Sequence, residues 1–221
     1  MKFLKFATIT TFIAAAVMYS GVFNSAAADS AFGNIDKVMG SAVVGSGEHY
    51  GNVSLVNGSV KMASNSSAKT VSLVNGGIKM RDDVLVDSAE TVNGSIEAGR
   101  NFTVNQSLST VNGAIKLGDN AVVAGDVSTV NGDITLQSAQ LAQNISTVNG
   151  DITLAGNTVV KGDVVFKKAG KKKSFFGWNN NNKPSLHIAA DAVVEGQIIL
   201  EQPVELKLAN PAMQAKVVER F

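Results

Sequence analysis

Asp133 and Asp151 each stand two residues after the asparagine of a "TVNGD" stretch, in segments that otherwise read almost alike, "VSTVNGDITL" and "ISTVNGDITL". If those segments stack as neighbouring strands, the two carboxylates lie about 5 Å apart. That separation suits a pair of catalytic acids or a Ca²⁺ ion. The same place in the other copies holds Ser59, Gly77, Ser95 and Ala114, and aspartate is an ordinary turn residue. The pair is therefore a weak metal or catalytic candidate, and the sequence is read as that of a non-enzyme needing no cofactor.

A second group is chemically richer. The stretch "KKAGKKKSFFGWNNNNKP", residues 167–184, carries Lys167, Lys168, Lys171, Lys172, Lys173 and Lys183 with no acid among them. It also holds Phe175, Phe176 and Trp178, the chain's only tryptophan. Basic charge beside aromatic rings suits an anionic partner with flat apolar surface, such as lipid headgroups or an acidic glycan. The plainer reading is a solvated loop kept soluble by its Gly, Asn and Lys. The two histidines, His49 and His187, are far apart in sequence, and His187 alternates with Leu186 and Ile188 as an outward residue of a strand would.

Composition narrows the classes. The 221 residues carry 19 basic and 18 acidic side chains, a formal net charge of +1, with only 17% charged. A sequence-specific nucleic-acid binder would be strongly basic. Cysteine is absent, which removes disulfides, thiolate nucleophiles and sulfur-ligated metals. The N-terminus reads as a secretory signal peptide over 1–28: a basic start, "MKFLK", an apolar run, and Ala26-Ala27-Ala28 as the cleavage site. The apolar run is also long enough for a retained membrane anchor. Export places the chain in the periplasm, at the cell surface or outside the cell.

The elements that would position these residues come from a repeat. Asn-Gly begins at Asn57, Asn75, Asn93, Asn112, Asn131 and Asn149, at intervals of 18, 18, 19, 19 and 18 residues, and "VMGSAV" at 38–43 is a degenerate earlier copy. A short fixed period means one unit that cannot bury its apolar face alone and stacks on copies of itself. Around each pair the chain alternates apolar and polar, as in "AIKL" and "DITL", with β-branched residues dominant. The expected fold is all-β: a right-handed parallel β-helix, or β-solenoid, of about nine coils over 29–208, roughly 43 Å long. Asn-Gly is assigned to a corner because both residues tolerate positive φ. Stacking brings the six asparagines into one column, able to hydrogen-bond as an amide ladder. Strict alternation turns that column outward and a left-handed corner does not, so its direction stays open.

Solenoid ends are sheet edges that need covers. Asn210 is a good N-cap and Pro211 suits the first helical turn, so within a C-terminal cap over 209–221 residues 211–220 are expected to form a short capping helix, with Met213, Val217 and Phe221 on one face. Residues 29–37 are the segment available at the other end. Lys79, Glu97 and Lys116 fall in one column with alternating sign, which suits cross-coil support.

The repeated "V-S-T-V-N-G-D-I" over about 50–165 resembles a bacterial adhesin family of unknown function, made of secreted or membrane-attached β-solenoids. "AVVAGDV", "TVVKGDVVF" and "AVVEGQIIL" resemble bactofilins, cytoskeletal solenoids that polymerise end to end, although bactofilins lack signal peptides. The first resemblance implies an adhesion or scaffold module on the envelope, and the second implies a homo-oligomer through the solenoid ends. Neither brings catalytic residues.

Overall fold

The computed structural model describes residues 32–168 and 183–221. The export segment expected over 1–28 lies outside the described residues, as do Lys171, Lys172, Lys173, Phe175, Phe176 and Trp178. Between those bounds the chain is a parallel β-solenoid of about ten turns. One column shows the stacking from end to end: Ile35, Val53, Val71, Ala89, Leu108, Val127, Ile145, Val164, Ile198 and Val217 pair rung by rung, always in parallel.

Each turn has three short faces. In one central turn they are Ile145–Thr147, Ile152–Ala155 and Val159–Val160. From Ile115 onward, strands of two to four residues and three corners use up the 18 or 19 residues of a turn; earlier, adjoining faces run together, as in His49–Met62. Alternation then puts Ile134 and Leu136, or Ile152 and Leu154, inside with a threonine between them outside. Every turn adds such residues to one continuous core along the axis. Burial of this stripe against neighbouring copies is the main favourable term, and no turn could achieve it alone.

The asparagine column forms, and it faces outward. Each side-chain amide donates to the carbonyl of the asparagine one turn earlier: Asn75 to Asn57 at 2.9 Å, then Asn93, Asn112, Asn131 and Asn149 in succession at 2.8–2.9 Å. Asn112→Ala breaks two such bonds and Asn149→Ala only one. At about 0.5–1.5 kcal/mol net per bond, the first should cost roughly twice the second in urea denaturation.

The reason expected for the corner needs correction. Asn57 and its column do not adopt positive φ, and of the corner glycines Gly58 and Gly76 do, at 150° and 132°; the left-handed conformation recurs at another corner, in Gly47, Asn65, Asp83, Asn101, Asn120, Ser138 and Gly156, with φ between 49° and 73°. What the Asn-Gly corner requires is closeness. A Cβ on Gly94, Gly113, Gly132 or Gly150 would fall onto the carbonyl of the glycine one turn before. Behind this corner stands a buried column of Thr91, Thr110, Thr129 and Thr147. Three of them donate to a corner glycine carbonyl, Thr110 to Gly94 at 2.9 Å and Thr129 to Gly113 at 3.2 Å among them. The Thr147 hydroxyl has no partner. Thr110→Val should therefore cost about 1 kcal/mol, and Thr147→Val should be neutral or stabilising, a difference that thermal melts would resolve.

Both ends differ from expectation. The C-terminal helix is a 3₁₀ helix confined to Pro211–Lys216, with Asn210 accepting from the Ala212 amide at 3.1 Å. Met213 is buried beneath it, but Val217–Glu219 returns to strand and pairs with Ile198–Leu200, leaving Phe221 59% exposed. Two consecutive valines meeting an open rung outweigh the i, i+4 spacing. At the other end, 35–37 belong to the first rung, Ile35–Val44. Gly33 and Asn34 run along the second turn, accepting from the Gly51 and Asn52 amides. They do not cover the end.

Candidate functional site

The insertion leaves the rod where the seventh Asn-Gly corner is due. Phe166 pairs with Thr147, which places Lys167 and Lys168 over Val148 and Asn149. The return is just as ordered: Ile152 pairs with Leu186 as directly as Ile134 pairs with Ile152. The rod therefore keeps its register across residues 167–184.

Both legs are fastened by side chains that sequence reading passed over. On the outgoing leg the Lys167 amide donates to the Thr147 carbonyl at 2.9 Å, and the Lys168 amide donates to Glu201 Oε2 at 3.2 Å. Gln202 reaches across from the next turn, its Nε2 donating to the Lys167 carbonyl at 2.9 Å and to the Val148 carbonyl at 2.5 Å. On the returning leg the Ser185 amide donates to Asp151 Oδ1 at 2.7 Å. Burial pulls the half-buried Lys167 ammonium below the usual lysine range, against the opposite pull of Glu201 and Asp126. Register alone could have flagged Glu201 and Gln202, since they follow Leu200 as Lys167 and Lys168 follow Phe166.

Asp133 and Asp151 are adjacent, as expected from the spacing, but each is engaged in the rod. Asp133 Oδ1 accepts from the Asp151 amide at 2.9 Å, as Asp151 does from Ser185. Ser95 serves the Ala114 amide in the same column. Corner Asp and Asn side chains elsewhere act alike. Asp126, Asn144 and Asp163 each accept from the backbone amide of the next turn at 2.8–3.0 Å. Asp82 takes a two-pronged bond from Arg100, which holds its carboxyl below the usual range. Lys79 and Glu97 pair at 3.1 Å, as their column implied. Among the described residues no three His, Asp or Glu side chains are grouped to hold a metal.

Two further groups came to light. His49 Nδ1 lies 2.7 Å from Ser67 Oγ, with Phe32 edge-on to the imidazole at 5.8 Å. The pair has a nucleophile-and-base geometry but sits on an open face, one turn apart in a single column. Glu90 faces outward between Ser72 and Ser109, where partial burial raises its pKa despite a 3.1 Å bond from the Ser72 hydroxyl. A carboxyl whose folded pKa is raised destabilises the fold once the unfolded chain ionises. Stability should fall as pH climbs through and above the ordinary glutamate range, and Glu90→Gln should flatten that part of the stability-against-pH curve measured by urea denaturation.

No protein-family model, no curated protein and no solved structure matches the chain; what stands is a parallel β-solenoid with side-chain ladders.

Proposed function

We propose that this protein is a non-enzymatic rod, exported to the periplasm or cell surface, that presents one binding segment at the envelope. The observation that carries this reading is the unbroken register across residues 167–184. The fold does not need that segment. A stretch with six lysines, three aromatic rings and no acid has been added to a finished scaffold and fastened at both legs. Insertions on solenoids emerge on one face and often carry binding. The corresponding partner is anionic, an acidic glycan or lipid headgroups on the envelope.

The fate of the corner acids supports the same reading. Carboxylates that could serve hydrolysis are committed to amides of the next turn. A bactofilin-like filament is less favoured, because the C-terminal turn is overlaid by the 3₁₀ helix with Met213 packed beneath. The test compares the exported chain with one in which 169–182 are replaced by a short Gly-Ser link. Capture on envelope fractions should drop at least about tenfold (about 1.4 kcal/mol) with an unchanged melting curve. Equal capture would overturn the proposal. Turnover of an acidic glycan that disappears in Asp133→Asn with Asp151→Asn would make the chain an enzyme instead.

A further inference from the structure

The first turn departs from the pattern of the turns that follow it at three positions. Lys37 stands in the column of Leu55 and Leu73, which point into the core. Outside, Met39 replaces the ladder asparagine and Val43 replaces Lys61. Met39 is 77% exposed, Val38 69% and Val43 61%; with Phe32 at 44%, they hold four of the seven large exposed apolar side chains among the described residues, all within twelve positions. One rung later Val56, under Val38, is half-buried, and the other outward residues are polar: Asn52, Ser54, Asn57, Ser59 and Lys61. The boundary runs across the rod axis, so the apolar collar belongs to the end and not to a side.

Lys37 also closes that end to another strand. In later turns the carbonyl just before the second face accepts from the amide of the preceding turn, Gly77 from Val60 at 3.1 Å and Ser95 from Ile78 at 2.9 Å. The matching carbonyl of the first turn, Ser41, has no preceding turn among the described residues and accepts from Lys37 Nζ at 2.7 Å. A stacked second copy would have to displace this bond and bury an ammonium over the core, the usual device against edge pairing. The end is therefore apolar around its rim yet sealed against strand addition. A lipid surface meets both conditions: it takes in apolar side chains, asks for no backbone pairing, and offers phosphates to an ammonium. Where the membrane-length apolar run is retained as an anchor, it ends at Phe23, nine positions before Phe32, a reach of about 30 Å.

We infer that the N-terminal turn docks end-on to a lipid bilayer through the collar of Phe32, Val38, Met39 and Val43. This rests on the envelope reading above but uses the opposite part of the rod from the insertion. The absence of cysteine allows a clean test on the exported chain. A polarity-sensitive dye is attached at Val43→Cys or, far along the same face, at Lys207→Cys. Vesicles of phosphatidylcholine are added, with or without phosphatidylglycerol. The dye at 43 should shift to the blue and the dye at 207 should not. Met39→Asn with Val43→Lys, which restores the pattern of later turns, should lower vesicle co-sedimentation about tenfold while melting unchanged. A shift at both sites, a shift at neither, or concentration-dependent dimers without vesicle response would overturn the inference, the last pointing to a second copy. Envelope capture that depends on 169–182 with no response at 43 would sink this inference alone. A response at 43 with capture indifferent to 169–182 would sink the other reading alone.

Discussion

Gly132→Val leaves no folded rod. The glycine sits mid-stack in the column Gly94, Gly113, Gly132 and Gly150, and a Cβ there falls onto the Gly113 carbonyl. The obstacle is backbone, fixed by its own ladder bonds, so no side chain can rotate away to make room. Separating the turns enough for a valine would break pairing on both sides of the corner. The cost should be at least about 4 kcal/mol, the range of the most damaging single substitutions, against a total stability on the order of 5–15 kcal/mol. Gly77→Ala is the control, one residue beyond the same corner in another turn. The nearest atom to a Cβ there is the Ser95 carbonyl oxygen at 3.7 Å, an ordinary contact. That variant should melt within a few degrees of the parent, a change of at most about 1 kcal/mol. If circular dichroism melts show the two variants equally affected, the close-approach account of the corner is wrong.

Phe166→Ala is expected to cost about 3–5 kcal/mol in urea denaturation. Phe166 is fully buried in the inward column, between Thr147 and Leu200. It ends the threonine column and pairs with Thr147, whose hydroxyl is the one buried hydroxyl among the described residues that lacks a partner. Rigid turns on either side limit collapse into the vacated space, which places the loss in the upper part of that range. The residue is also the last one before the insertion, so its removal should raise amide exchange at Lys167 and Lys168 more than at Ile115 or Ile134. A loss below about 1.5 kcal/mol would mean that the neighbouring turns close the gap.

Where residue identity repeats, the fold was legible. Six Asn-Gly pairs gave the period, the parallel stacking and the pairing of Asn131 with Asn112 and Asn149. The left-handed corner was missed because the residues there vary: Asn65, Asp83, Asn101, Asn120, Ser138 and Gly156 share a conformation, not a side chain. Asn and Asp recurring at 65, 83, 101 and 120 were the available signal. The threonine column was visible as "STVNG", but its direction depends on how the chain bends at the corner. At the C-terminus local spacing favoured a longer helix, and a distant rung decided for strand. Of the candidate site, the positions of Asp133 and Asp151 followed from the period, whereas their engagement with the next turn's amides did not. The insertion itself was plain as a break in the repeat. Its fastening by Glu201 and Gln202 could be found only by carrying the register past the break.

The intervals of 18 and 19 residues have a consequence for how such a molecule can change. Apart from Gln202, which spans two turns at the insertion, the strand pairing of each turn is with the turns before and after it, and adding one advances the rod by about 4.8 Å. Duplication of one segment, of the length that separates Asn112 from Asn131, supplies its own asparagine, corner glycine and apolar set. The distance between the sealed end and the fastened insertion is thus a count of copies, adjustable in whole steps by recombination between near-identical stretches of coding sequence without redesign of any contact.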